Sequence, residues 1–262
     1  MAQSNESPVE SRSSLVIDIE WRLTLFTVLL LPLLISLGFW QLSRAEEKRV
    51  LEARHEQRAA MPAADIATLL TVSAEERADR RIAINAEFER GNYLLLDNRI
   101  RSGRVGYEVV ALVVAGTPPS PGWIVPVNLG WVAGDPARRT LPDISLPAGE
   151  ASITGRIYVP SAEAYVLSDE AFPTELPAVV QALPLDRWMT DIADRSARPV
   201  FPHIVRIDEN SPVAYAADWP IVNQSPAKHT GYAVQWFTMA AVLLVAYVLR
   251  STNLWSLLKR RS

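Results

Sequence analysis

His229, Tyr232 and Trp236 follow one another at i, i+3 and i+7, a spacing that places all three on one face of an α-helix. A neutral imidazole at the mouth of an apolar helix can act as an axial ligand to haem iron, with the two rings packed on the macrocycle. The same residues equally suit an interfacial helix start, where His229 beside Lys228 meets headgroups or a partner and the rings anchor the helix. Trp40 and Gln41 end a second apolar run. They can close the other wall of such a site, or Gln41 can hydrogen-bond across the helix pair, because an amide at that depth requires a partner. Trp40 by itself also reads as an aromatic-belt residue.

Elsewhere the chemistry is sparse. The 262 residues contain no cysteine, which removes disulfides, thiolate nucleophiles and thiolate metal sites together. The four methionines are scattered, and His55 and His203 have no companions at metal-ligand spacing, which suits ordinary surface or core duty. No HExxH, GxSxG, Walker loop or GxGxxG occurs. Carboxylates are plentiful, yet no spacing selects an acid–base pair, so the reading is not an enzyme.

Two charge-free runs position the candidate residues: residues 23–42 and 231–249, twenty and nineteen long. Each spans roughly 30 Å as a helix, the thickness of a bilayer's hydrocarbon core. Arg22 and Arg44 bracket the first, and Lys228, His229 and Arg250 the second. The first run is too long, and its flanks wrong, for a cleaved signal peptide. The organisation expected is an N-terminal cytoplasmic tail (1–22), a membrane helix (23–42), a periplasmic domain (43–230), a second membrane helix (231–249) and a basic cytoplasmic tail (250–262). Arg250, Lys259, Arg260 and Arg261, with no acid among them, favour the cytoplasmic placement of the C-terminus. With the tails at −2 and +4, residues 43–230 carry −5, which offers no footprint for nucleic acid. The first dozen residues read as disordered.

Within that domain, residues 43–60 are free of Gly and Pro and extend the first helix outward. Residues 63–70 make a short helix, and Ser73-Ala-Glu-Glu76 opens another through a capping box. Alternation at Ile82, Ile84, Ala86 and Phe88 marks a strand. Further β-prone runs lie at 93–99, 106–114, 123–132, 152–159, 203–207 and 213–215, with a helix at 185–193. The fold class expected is a two-pass α-helical anchor plus an extracytoplasmic α+β domain dominated by an antiparallel, barrel-like sheet. Asp97-Asn98-Arg99 and Gly106-Tyr107 read as strand ends around a turn, with Gly106 supplying a backbone geometry other residues resist. Trp131 reads as core. Ala233, Ala240 and Ala241 form a small-residue stripe that can seat the first anchor or a partner's helix.

Four ordered blocks then carry a resemblance. LGFWQLSRAEEK (37–48), LLLDNRIRSGRVGYEVV (94–110), VNLGWVAGDPARRTLPDI (127–144) and DWPIVNQSPAKHTGYAVQWFTMA (218–240) together resemble the surfeit-locus-one family of cytochrome c oxidase assembly proteins. Leu129 departs from that pattern, where Arg is usual in NRGWV, so anion pairing at that position is absent here. The resemblance implies a bacterial inner-membrane protein of respiratory chain biogenesis with membrane lipid around its anchors. It implies action on the oxidase's nascent catalytic subunit, with other assembly factors, while haem a is installed. Two mechanisms fit that implication: haem a is a transient cofactor, with His229 as iron ligand and Tyr232, Trp236, Trp40 and Gln41 around it, or the protein only holds the subunit in a receptive state. Arg99, Tyr107 and Trp131 become partner-binding candidates. The alternative is a two-pass structural or sensory protein whose periplasmic domain recognises another partner, with no haem role.

Overall fold

The computed structural model describes residues 17–116, 122–160, 171–220 and 225–253. The N-terminal tail read as disordered and the basic residues Lys259, Arg260 and Arg261 lie outside them. Two compact units are present, Met1–Glu52 with Val222–Ser262, and Ala53–Ile221.

The first unit holds two helices long and apolar enough to cross a membrane. The helix α1 (Trp21–Ala59) runs for 39 residues. Its second half is built from strong helix formers, Ala, Glu, Arg, Lys and Leu, so it continues well past the apolar run. The helix α5 (Pro226–Ser251) starts with a proline, whose missing N–H costs nothing at a first turn. Their apolar windows are only 17% and 11% buried, unlike the core helix of a soluble protein. Up to Glu52, the buried residues of α1 are Thr27, Leu34, Gly38 and Ala45, one stripe along the helix. On α5 they include Ala233 and Ala240. Ala241 is exposed, one residue off the stripe, so only two of the three expected small residues share the packed face. Gly38 makes the close approach: a Cβ there would lie 2.6 Å from the Phe237 ring. Phe39 meets the same ring edge-on at 5.3 Å. At the other end, Thr24 and Tyr247 hydroxyls are 3.0 Å apart and the Asp18 amide donates to Ser251 O at 2.8 Å.

The second unit opens with two short helices. Asp65 caps α2 (Ile66–Leu70), and the expected capping box of Ser73 and Glu76 opens α3 (Ala74–Arg77). Seven strands follow: β1 (Arg81–Phe88), β2 (Tyr93–Arg101), β3 (Arg104–Ala115), β4 (Trp123–Ala133), β5 (Gly149–Tyr158), β6 (Ala178–Val180) and β7 (Ile204–Ile207). Strands β1, β5, β7, β4 and β3 pair in that order, and β3 pairs back to β1, which closes a five-stranded ring. The long β3 also carries β2, and β2 carries β6.

The sheet is antiparallel except at β4–β7 and β2–β6, which are parallel. Purely antiparallel pairing is therefore not what forms, because both late strands return to the sheet by long connections rather than hairpins. Three-residue β6 is too short for any alternation to announce it. The expected strand at 213–215 is instead a turn, from which Tyr215 N donates to Leu129 O at 2.7 Å.

Alternate residues of the ring fill its interior, among them Ile82, Val109, Val127, Ile153 and Val205, and Phe201 from the segment before β7 joins them. The helix α4 (Leu185–Ser196) places Trp188 and Ile192 in a second core with Leu94, Leu96, Val110, Leu112 and Ile124. Strand β3 thus buries both faces, which explains its unbroken apolar run.

Candidate functional site

In the helix pair, Gln41 sits half-buried on α1 and His229 half-buried on the first turn of α5. Their side chains meet: Nδ1 of His229 lies 2.8 Å from the amide oxygen of Gln41. An amide oxygen only accepts, so this bond puts the imidazole proton on Nδ1 and leaves Nε2 with a free lone pair. Nε2 has no partner among the described residues. About two turns further along α1, Arg49 donates to Oγ1 of Thr230, the residue after His229, at 3.2 Å and to Glu46 at 3.1 Å, a second tie across the same end. Trp236 is half-buried beside the packed stripe, whereas Tyr232 and Trp40 are exposed, at 40% and 51%. Trp40 carries the Arg44 guanidinium 5.8 Å from its ring centre. The structure therefore joins His229 and Gln41 directly and leaves Trp40 and Tyr232 on exposed flanks of the pair.

In the second unit, Arg99, Tyr107 and Trp131 come together around a β-bulge. Leu96 pairs with Glu108 and Arg99 with Gly106, so Asp97 and Asn98 both oppose Tyr107. Asn98 takes φ 58°, a left-handed conformation that asparagine tolerates better than most residues. Arg138 reaches back across the bulge, donating to Asp97 at 3.0 Å and to Asn98 at 2.8 Å. The Trp131 indole donates to Arg99 O at 2.9 Å. Tyr107 is 6% exposed and belongs to the core. The half-exposed Arg99 side chain lies 3.8 Å from Glu108. Gly106 has an ordinary backbone conformation. What it supplies is room, since a Cβ would fall 2.1 Å from Val132 O and 2.6 Å from the Trp131 ring.

A family model of the SURF1 family matches residues 28–241, most of the chain and both of these regions. The chain belongs to the SURF1 family. Members of this family are cytochrome c oxidase assembly factors. Among curated proteins none matches.

The SURF1 motif blocks now have structural meanings. LDNR and GY are the two sides of the bulge, and the basic residues after GWV supply Arg138, which ties it. Leu129, where the family pattern has Arg, is fully buried and fills the ring's interior beside a second bulge between Val109 and Val110. The KHTGY block places His229 one turn into α5, opposite Gln41 of the WQ block. Sequence reasoning missed the Arg49–Thr230 tie and the Gly38–Phe237 contact. A glycine inside an apolar run was the signal available for the latter.

Proposed function

We propose that this protein is a non-enzymatic assembly factor for cytochrome c oxidase, and that it carries haem a at the His229 end of its helix pair while the nascent catalytic subunit is completed. The observation that supports this reading is the His229–Gln41 bond. A histidine that ligates a metal commonly donates its other ring N–H to a fixed acceptor, which sets the tautomer and ring orientation. Gln41 does this for His229 and leaves Nε2 able to accept a metal. His229 would hold the iron, and Trp236, Tyr232 and Trp40 would offer aromatic surface to the macrocycle. Haem a would supply the oxidase's own redox cofactor at this place, bound rather than consumed. Gln41 orients the imidazole, and Arg49 and Thr230 hold the two helix ends in register.

The family and the helix pair support placement in the cell inner membrane. The basic C-terminal residues favour both termini in the cytoplasm, which leaves the ring domain periplasmic, near the catalytic subunit and other assembly factors. Half-exposed Arg99, beside Trp131, is the surface candidate among the bulge residues. The test is an absorption spectrum of detergent-purified protein from cells that make haem a, beside its His229→Ala variant. A haem a signal lost in a variant that still inserts in the membrane is the expected result. No signal in either protein overturns haem carriage and leaves stabilisation of the subunit as the activity.

A further inference from the structure

Three arginines stand side by side across the outer face of the ring. Arg81 on β1 is in register with Arg156 on β5, and Arg156 with Arg206 on β7. Adjacent strands lie about 4.8 Å apart, and like charges directly opposite one another disfavour pairing. The first two arginines are relieved locally. Arg81 meets Asp208 at 3.5 Å, and Arg156 donates to Nε2 of His55, whose Nδ1 lies 3.2 Å from Asp79.

Arg206 is different. Its guanidinium lies 3.6 Å from the centre of the Tyr158 ring and 5.0 Å from that of Trp219. Trp219 is held in place by its indole, which donates to Ile207 O at 2.8 Å. Among the described residues the Arg206 side chain has no hydrogen bond and no ion pair, and its Nε is shut from solvent without a partner. Burial lowers its pKa from the ordinary arginine value, the sign of a cation short of compensation. The acids whose field reaches it are engaged elsewhere: Glu108 accepts from Asn128 at 2.7 Å, and Asp79 faces His55.

We propose that Arg206, set between Tyr158 and Trp219, is a docking site for a carboxylate side chain on an acidic segment of a partner protein. The planar fork of a guanidinium matches a carboxylate with two parallel hydrogen bonds. Glu108 and Asp79 nearby favour a singly charged guest over a dianionic phosphate. Tyr, Trp and Arg are also the residues that most often dominate protein interfaces, and here they form one cluster. The inference rests on the proposed function only in taking the partner to be a protein, and it uses no residue of the haem reading.

The test uses the full chain in detergent and fluorescence anisotropy of a labelled decapeptide of alternating glutamate and alanine. A glutamine–alanine peptide and mixed micelles containing phosphatidylglycerol serve as comparisons. The glutamate peptide is expected to bind saturably and the glutamine peptide not. Arg206→Met keeps the stacked stem, and it is expected to weaken binding about tenfold or more, with the melting temperature unchanged or raised. Arg206→Lys, which keeps charge and stem, covers the case in which Arg206→Met fails to fold. Loss of the fork is expected to weaken its binding about threefold or more. The haem a spectrum stays as in the wild type in both variants. Equal binding of the two peptides, or unchanged affinity in a folded Arg206 variant, overturns the proposal. So does displacement of the peptide by phosphatidylglycerol at lower concentration than by free glutamate peptide, which would make this a lipid site.

Discussion

Replacing Gln41 by leucine tests the link on which the haem reading depends. With Oε1 of Gln41 facing Nδ1 at 2.8 Å, neutral His229 carries its proton on Nδ1. An amide turned the other way would donate to Nδ1, hold the proton on Nε2 and block the iron-binding nitrogen. Interhelical hydrogen bonds within membranes contribute about 0.6 kcal/mol on average and up to about 1.7. Removing this one therefore shifts the ratio of the two tautomers toward Nε2–H by about threefold to twentyfold, since 1.4 kcal/mol is a factor of ten. Loss of such an outer partner typically costs about 10- to 100-fold in metal affinity, so haem affinity in Gln41→Leu is expected to fall about tenfold, where the two ranges overlap. The assay is nitrogen NMR of ring-labelled histidine in the full chain, at a pH where His229 is neutral, with His229→Ala identifying its signal among three. The wild type is expected to show a protonated Nδ1. A proton on Nε2 in the wild type, or an unchanged tautomer ratio in Gln41→Leu, refutes the reasoning.

Two further outcomes follow from the second unit. Gly106→Ala sets a Cβ 2.1 Å from a backbone oxygen that cannot swing aside. Overpacking of that kind costs about 3 kcal/mol, or about 6–12 °C in the melting temperature of a domain this size. Thermal melting followed by tryptophan fluorescence checks it, and a shift under about 2 °C would mean the strands have room to part. For His203, burial and then the adjacent Arg77 guanidinium lower the pKa below 6.5, and Arg77 donates to its Nε2 at 3.3 Å. The folded state thus prefers the neutral ring: stability is full above about pH 6.5 and falls as pH drops toward the folded pKa, because the unfolded chain takes up the proton first. His203→Gln keeps an acceptor for Arg77 and is expected to flatten the dependence of melting temperature on pH between about 7 and 5. An equal slope in wild type and variant would assign the effect to another group.

Period and composition were enough to read the helices and most strands. Residues 23–42 and 231–249 lack any charge, and a segment that long and apolar has few structures open to it besides a membrane helix. Ile82, Ile84, Ala86 and Phe88 alternate because one face of β1 lines the ring interior. The capping box at Ser73 and Glu76 is a local bond pattern, so it is legible four residues at a time. Even the demand of Gln41 for a partner was legible, because an amide in an apolar helix has nowhere else to go.

What the sequence left open depended on residues far apart in the chain. The partner of Gln41 stands 188 positions away, and no local pattern chooses His229 over the neighbouring Thr230. Ring closure hangs on two residue pairs, Ala86 with Ala115 and Glu87 with Val114, which propensity cannot rank against other pairings. Gly106 looked like a conformational glycine and proved to be a steric one, because the atoms that exclude a Cβ belong to β4. The row of Arg81, Arg156 and Arg206 exists only once three strands take their register. The chain alone thus determined the helices, most of the strands and the two segments apolar enough to cross a membrane, since those follow from each residue's solubility and nearest neighbours. Tertiary structure alone decided which polar groups meet and which, like the Arg206 side chain, find no polar partner among the described residues, because those contacts are set by register and helix packing between distant segments.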